Sequence, residues 1–291
     1  MLLQRIITAT ILAVLIIPAV LFLSSLHFSL VIALVVLVGA WEWTHLIKME
    51  QIGLRILFLI SLVLPMLGVA FWTQFLEMVA LQFEWGDVRE YSGAIEWTVI
   101  PPVLFWIIMM MLIRQLPTSL LKLELKQHYR AFTGWFILLA AWMFISRLRL
   151  LYGEEMVLYF MILIWVADIA AYFVGKRLGK DKLSPDISPG KTVQGIYGAL
   201  VGAGICGLVL GILYKFSWMS IIDFMLLSIL TVLVSIYGDL FFSLIKRQRG
   251  VKDSGIIFPG HGGVLDRIDS IIAAAPFFYA GITLIGFGVF Q

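Results

Sequence analysis

Asp239 closes a long apolar run, and Ser243 and Lys246 follow it at i+4 and i+7. On a helix that spacing sets a carboxylate, a hydroxyl and an ammonium along one face. Asp266 and Asp269 stand three apart with Arg267 between them, so a helical turn brings both carboxylates to one side. With the loop between them folded back, Asp239 and Asp266 converge on a hard cation. Mg²⁺ suits such a pair: it takes oxygen ligands and commonly only one or two protein carboxylates, with water and substrate phosphates filling the octahedron. The loop adds Lys246, Arg247, Arg249 and Lys252, then Pro259, Gly260, His261, Gly262 and Gly263, a tight segment whose bare backbone can approach an anion. The chemistry these residues could do is to hold phosphate groups. The bland alternative is a basic loop that only attracts anionic headgroups.

Two further places carry polar residues where the surroundings are apolar. Asp168 lies in an apolar run, where an ionised carboxylate costs at least a few kcal/mol and needs a partner or a job. Tyr172, Lys176 and Arg177 follow close to the same helix face, so Asp168 is either a helix-to-helix polar contact or a wall of a polar cavity. Residues 184–192, with Ser184, Ser188, Pro189, Gly190, Lys191 and Thr192, read equally as a phosphate-binding turn ahead of a helix N-terminus or as a plain turn and cap. Trp41, Trp43, Trp97, Trp106 and Trp135 lie near the ends of apolar runs, where indoles favour the headgroup level. His45 and His128 lack partners at metal-ligand spacing. Gly198 with Gly202, and Gly207 with Gly211, are small residues four apart that let helices pack closely.

The elements that must position these groups are set by the solvent. Of 291 residues, 62% are hydrophobic and 13% charged, with a mean hydropathy of +1.02. A soluble domain is about 45–50% apolar, so most of this chain is solvated by lipid. The expected fold is all-α, a polytopic membrane bundle of about nine helices, near 6–26, 28–47, 56–75, 97–113, 132–146, 156–175, 196–214, 219–240 and 270–290. Pro18, Pro65 and the Pro101–Pro102 pair are expected to kink or shorten their helices. Residues 1–150 form an N-terminal group of spans and 151–291 a C-terminal group that carries the site. With the N-terminus inside, every basic residue except Arg89, Arg147, Arg149 and Lys215 falls on the cytoplasmic side, while residues 77–96 make an acidic outer loop. Cys206 stands alone in the chain and makes no intramolecular disulfide. Nothing in the pattern points to nucleic acid.

The polar residues resemble a known family, the phosphatidate cytidylyltransferases, or CDP-diacylglycerol synthases. The likeness runs through Ser243, Ile245, Lys246-Arg247, Lys252-Asp253, Gly255, Phe258-Pro259, His261-Gly262-Gly263, Val264, Asp266-Arg267, Ile268 and Asp269. It extends to Asp168 with Ala171-Tyr172 and to Ser188-Pro189-Gly190-Lys191-Thr192. Gln194 departs from it, since many relatives carry Glu there. The resemblance implies transfer of CMP from CTP to phosphatidate in a membrane, giving CDP-diacylglycerol and pyrophosphate. It also implies Mg²⁺ on Asp239 and Asp266, with K⁺ as a candidate second ion and a homodimer as a candidate assembly. On that reading Lys246, Arg247, Lys252 and Lys191 neutralise phosphate oxygens, His261 contacts a phosphate, and Asp168 and Asp269 orient the cations. Ser188, Thr192, Ser243, Gly262, Gly263 and Arg267 complete the substrate contacts. The short segment before the first span implies a bacterial inner membrane, with the site facing the cytoplasm. An ion-coupled transporter, another lipid phosphotransferase and a scaffold are the alternatives.

Overall fold

The computed structural model describes residues 2–258 and 262–285. Its order is α1 (Leu2–Phe22), α2 (Ser25–Leu46), α3 (Ile52–Ala70), α4 (Trp72–Gln82), a 3₁₀ segment (Gly86–Val99), α5 (Ile100–Gln115), α6 (Pro117–Lys122), α7 (Gln127–Leu178), β1 (Lys182–Ser184), β2 (Ser188–Thr192), α8 (Val193–Leu213), α9 (Trp218–Arg249) and α10 (Leu265–Ile285). Seven helices among the described residues are long and apolar enough to cross a membrane. Their outer faces carry side chains such as Leu26, Leu34, Leu64 and Val201, each 64% exposed. A surface that leaves such groups uncovered is stable only where the solvent is hydrocarbon.

Hydroxyl caps start three of the helices. Ser24, Thr192 and Ser217 accept from the N–H groups of His27, Gly195 and Ser220, satisfying donors that a helix leaves open. Pro101 and Pro102 open α5 instead of kinking it, because a first helical turn needs no N–H there. The preceding residues, expected to begin that span at Trp97, form the 3₁₀ segment. Pro18 and Pro65 lie within unbroken α1 and α3. Trp43 and Trp106, expected at the headgroup level, are core residues 0% and 1% exposed, Trp43 packing on Phe241 and Phe242 and Trp106 on Phe241.

α7 is two limbs. Gly153 sits at φ +80°, ψ −179°, a conformation essentially reserved for glycine, and breaks the helix there. Phe144 and Phe160 both reach adjacent residues of α10, with ring centroids 5.1 Å from Tyr279 and 5.2 Å from Phe278 respectively. In one straight helix they would stand about 24 Å apart. The chain therefore folds back at Gly153, and the expected break near 147–155 is this reversal.

Small residues bring the second limb, α8 and α9 together. A Cβ on Gly198 or Gly202 would meet Val174 or Ala170 of α7, and one on Gly207 or Gly211 would meet Met225 or Ile221 of α9. The two glycine pairs thus serve two different neighbours. Hydrogen bonds gather the helix ends at each extremity. At one end Gln127 donates to the carbonyls of Ile47 and Lys48, Gln248 to Leu120 and Leu123, and Arg247 to Ile187. At the other, Glu96 accepts from Arg147 and Tyr279, and Arg149 donates to Leu23.

Candidate active site

At the first of these ends α9 presents the face that its spacing predicts. Asp239 Oδ2 pairs with Nζ of Lys191, which arrives on β2, at 2.6 Å. Lys246 Nζ pairs with Oδ1 of Asp266, in the first turn of α10, also at 2.6 Å. Ser243, between them on the helix, donates to Asp239 Oδ1 at 3.3 Å. Asp168 of α7 lines the same pocket as Lys191, and Asp269 follows Asp266 by three residues in α10. The loop does fold back, so residues from α7, β2, α9 and α10 meet in one cluster.

The two ion pairs differ in access. The side chains of Lys191 and Asp239 are 27% and 30% exposed, those of Lys246 and Asp266 only 11% and 5%. The first pair borders a pocket of about 360 Å³ lined by Asp168, Tyr172, Lys176, Lys182, Lys191 and Thr192, among others. Asp168 is thus a cavity wall. Lys176, expected on the helix face of Asp168, is in that lining, and so is Lys182, which nothing in the spacing of the basic stretch singles out over Lys180.

The inner pair belongs to a scaffold built on a residue the sequence reading passed over. Glu42 of α2 is 4% exposed and accepts from Ser254 Oγ, Val264 N and Leu265 N at 2.8, 2.8 and 2.9 Å. It caps α10 from another helix, which suits a carboxylate because the dipole at a helix start favours negative charge. Asp266 Oδ2 accepts from Ser254 N, Ser254 Oγ and Gly263 N at 2.7, 3.0 and 2.9 Å. Gly263 has no room for a Cβ against Glu42 and Ser254, and Gly262, at φ +83°, has none against Asp266. The described part of the glycine-rich segment therefore lets anions approach its backbone, and in this structure they are the chain's own Glu42 and Asp266.

The remaining expected residues are distributed unevenly. Residues 184–192 are a small hairpin, β1 antiparallel to β2, in which Ser188 pairs with Ser184. The Thr192 hydroxyl is the cap of α8, accepting from Gly195 N at 3.1 Å. Arg247 braces the hairpin through its bond to Ile187 at 3.3 Å. Gln194 ties the hairpin's base, accepting from the N–H groups of Lys180 and Asp181 and donating to Asp181 Oδ2 at 2.7 Å. An amide does both; a glutamate would face Asp181 with like charge. Asp269 is buried and accepts from Ser270 N at 2.8 Å. Arg267 and Lys252 are exposed, and neither is in an ion pair among the described residues. His261 lies outside the described residues.

No group of three or more His, Cys, Asp or Glu among the described residues is arranged to hold a metal ion by itself. The donor set still fits Mg²⁺ shared with a substrate. On Asp239, Oδ1 takes only the long bond from Ser243 among the described residues, and the side chain is 30% exposed. Asp266 keeps lone-pair capacity on Oδ1 beside Lys246, while its Oδ2 accepts from the N–H groups of Ser254 and Gly263 and shares the Ser254 hydroxyl with Glu42.

A helical membrane bundle with carboxylates and ammonium groups gathered around a pocket at one end defines a class: membrane proteins that handle phosphate-bearing substrates at the bilayer surface. The Cytidylyltransferase family matches residues 3–285, and the chain belongs to it. It is 36% identical to a phosphatidate cytidylyltransferase of Haemophilus influenzae, covering 96% of this chain and 97% of that protein. It is likewise 36% identical to a Pseudomonas aeruginosa protein of the same name, over 99% of both chains. A Bacillus subtilis protein, also so named, is 46% identical over 44% of this chain and 47% of its own length. Membership decides against the transporter and scaffold alternatives.

Proposed function

We propose that this protein transfers CMP from CTP to phosphatidate, forming CDP-diacylglycerol and pyrophosphate, at the cytoplasmic surface of a bacterial inner membrane. The observation that carries the reading is the pocket beside the Lys191–Asp239 pair, lined by Asp168, Lys176 and Lys182 at one end of a lipid-solvated bundle. One substrate keeps its acyl chains in the bilayer and the other is soluble in water, so the reacting atoms meet where such a pocket opens. An oxygen of the phosphatidate monoester attacks the α-phosphorus of CTP, a new P–O bond forms, and the bond from that phosphorus to the bridging oxygen breaks. Pyrophosphate leaves with the electron pair.

The attacking oxygen is already anionic, so no side-chain nucleophile is needed, and catalysis consists of positioning and charge neutralisation. Lys191, Lys176 and Lys182 hold phosphate oxygens at the pocket. Lys246 and Asp266 fix α9 against α10, and Asp168 and Asp269 keep the lysines oriented. Asp239 and Asp266 would hold Mg²⁺ together with substrate oxygens, and the ion would supply neutralising charge on the phosphates.

The test uses purified protein, phosphatidate micelles and CTP labelled in the cytosine ring. Label is expected to enter the organic phase only with phosphatidate and Mg²⁺, to stop with EDTA, and to fall at least a hundredfold in Asp239→Ala. Folded protein that transfers no label sinks the reaction. Full activity in Asp239→Ala sinks the metal assignment alone.

A further inference from the structure

A second cavity, of about 390 Å³, opens at the same end of the bundle and shares no lining residue with the first. Its polar lining is Lys48, Lys122, Glu124, Gln127, Arg130 and Gln248. Gln248 follows Ile236, a wall of the first pocket, by twelve residues of α9, which is about 18 Å along the helix. Three cations thus stand against one carboxylate, and none of the three is in an ion pair among the described residues.

Basic residues at a membrane surface need no ligand to explain them, but two features here go further. The Nε of Arg130 is enclosed by protein and has no acceptor among the described residues. A guanidinium does not shed its charge, and the Arg130 side chain has no ion-pair partner among the described residues, so its charge is left for an anion in the cavity. Lys48 supplies the second feature. The N–H groups of Met49 and Lys48 return to the carbonyls of Thr44 and His45, which closes α2 in a Schellman turn with Lys48 in the left-handed position at φ +59°. Glycine is usual there and a lysine is strained, yet here the lysine is part of the cavity's lining.

The walls are also built. Gln127 bonds the carbonyls of Ile47 and Lys48 at 3.3 and 2.8 Å, and Gln248 bonds those of Leu120 and Leu123 at 2.8 and 3.2 Å. These ties join the turn after α2, the segment after α6, the start of α7 and the end of α9 around the cavity. Both amides are thereby turned to the protein, which leaves the ligand to the cations.

We propose that this cavity is a second anion site that binds a phosphate group, presented by a lipid headgroup or free in solution, through Arg130, Lys122 and Lys48. The experiment follows thermal unfolding of the full chain in neutral detergent while titrating either a short-chain phosphatidylglycerol or inorganic phosphate. Saturable stabilisation is expected with at least one probe. Its half-saturating concentration should rise roughly tenfold in Arg130→Gln and in Lys122→Gln, and stay unchanged in Lys191→Gln, which alters the other pocket. A response to the lipid alone assigns a headgroup site; a response to inorganic phosphate assigns a site open to free anions. The Lys122 side chain is exposed and in no ion pair among the described residues, so Lys122→Gln reports even where Arg130→Gln does not fold. No saturable stabilisation, or one lost only in Lys191→Gln, overturns the proposal.

Discussion

A carboxylate closed off from water is retained only where donors surround it, and Glu42 has three, two of them N–H groups at the start of α10. That helix carries Asp266 and Asp269, so Glu42 positions the site without touching a substrate pocket. Glu42→Gln keeps the shape and turns an NH₂ group toward a backbone N–H, leaving at least one buried donor open. A loss of about 1–3 kcal/mol is expected. Because the first turn of α10 then shifts, kcat should fall at least tenfold at temperatures well below unfolding. Thermal unfolding and turnover, measured on the same preparation, separate the two effects: a lowered Tm with unchanged kcat would make Glu42 structural only. This residue was not legible in the sequence. Its partners stand more than two hundred positions away, and a lone Glu between two tryptophans carries no spacing signal. The Asp239, Ser243 and Lys246 face was legible because one helix generates it.

At the scale of the elements, period and punctuation told unequal amounts. Apolar runs announced the helices, and the glycine pairs of α8 announced close packing, but not that Gly198 and Gly202 serve α7 while Gly207 and Gly211 serve α9. The hairpin of residues 182–192 read as a turn, because three- and five-residue strands are too short to show alternation. The reversal of α7 falls between the expected apolar runs 132–146 and 156–175, in the gap that holds Arg147 and Arg149. Those arginines are helical and paired, with Glu96 and Glu154. Gly153 makes the break. A Cβ there meets no atom within 4 Å, so Gly153→Ala tests backbone conformation without a clash. It is expected to cost about 1–3 kcal/mol, read as a lowered unfolding midpoint in mixed micelles. An unchanged midpoint would mean that the reversal does not depend on the glycine.

Across the whole molecule the two ends differ in kind. One gathers Lys48, Lys122, Lys176, Lys182 and Lys191 around two cavities; the other pairs Arg147 with Glu96 and Arg149 with Glu154 beside the acidic stretch of Glu84, Asp87 and Glu90. The separation was legible in the sequence because alternate loops fall on alternate sides, whereas the convergence of four elements on Asp239 needed the fold. Chains orient with the excess of Lys and Arg toward the cytoplasm, so the cavity end should face inward. The sole cysteine, Cys206, lies in α8 and can be replaced by Ser to give a silent background. In it, cysteine is introduced singly at Asp186, in the exposed turn of the hairpin, or at Glu90, in the exposed 3₁₀ segment. A membrane-impermeant maleimide added to intact spheroplasts should label the Glu90→Cys protein at once and the Asp186→Cys protein only after permeabilisation. The reverse pattern would put the pocket on the side away from cytosolic CTP. The reaction proposed for it could not then run in the cell, whatever the purified protein does in micelles.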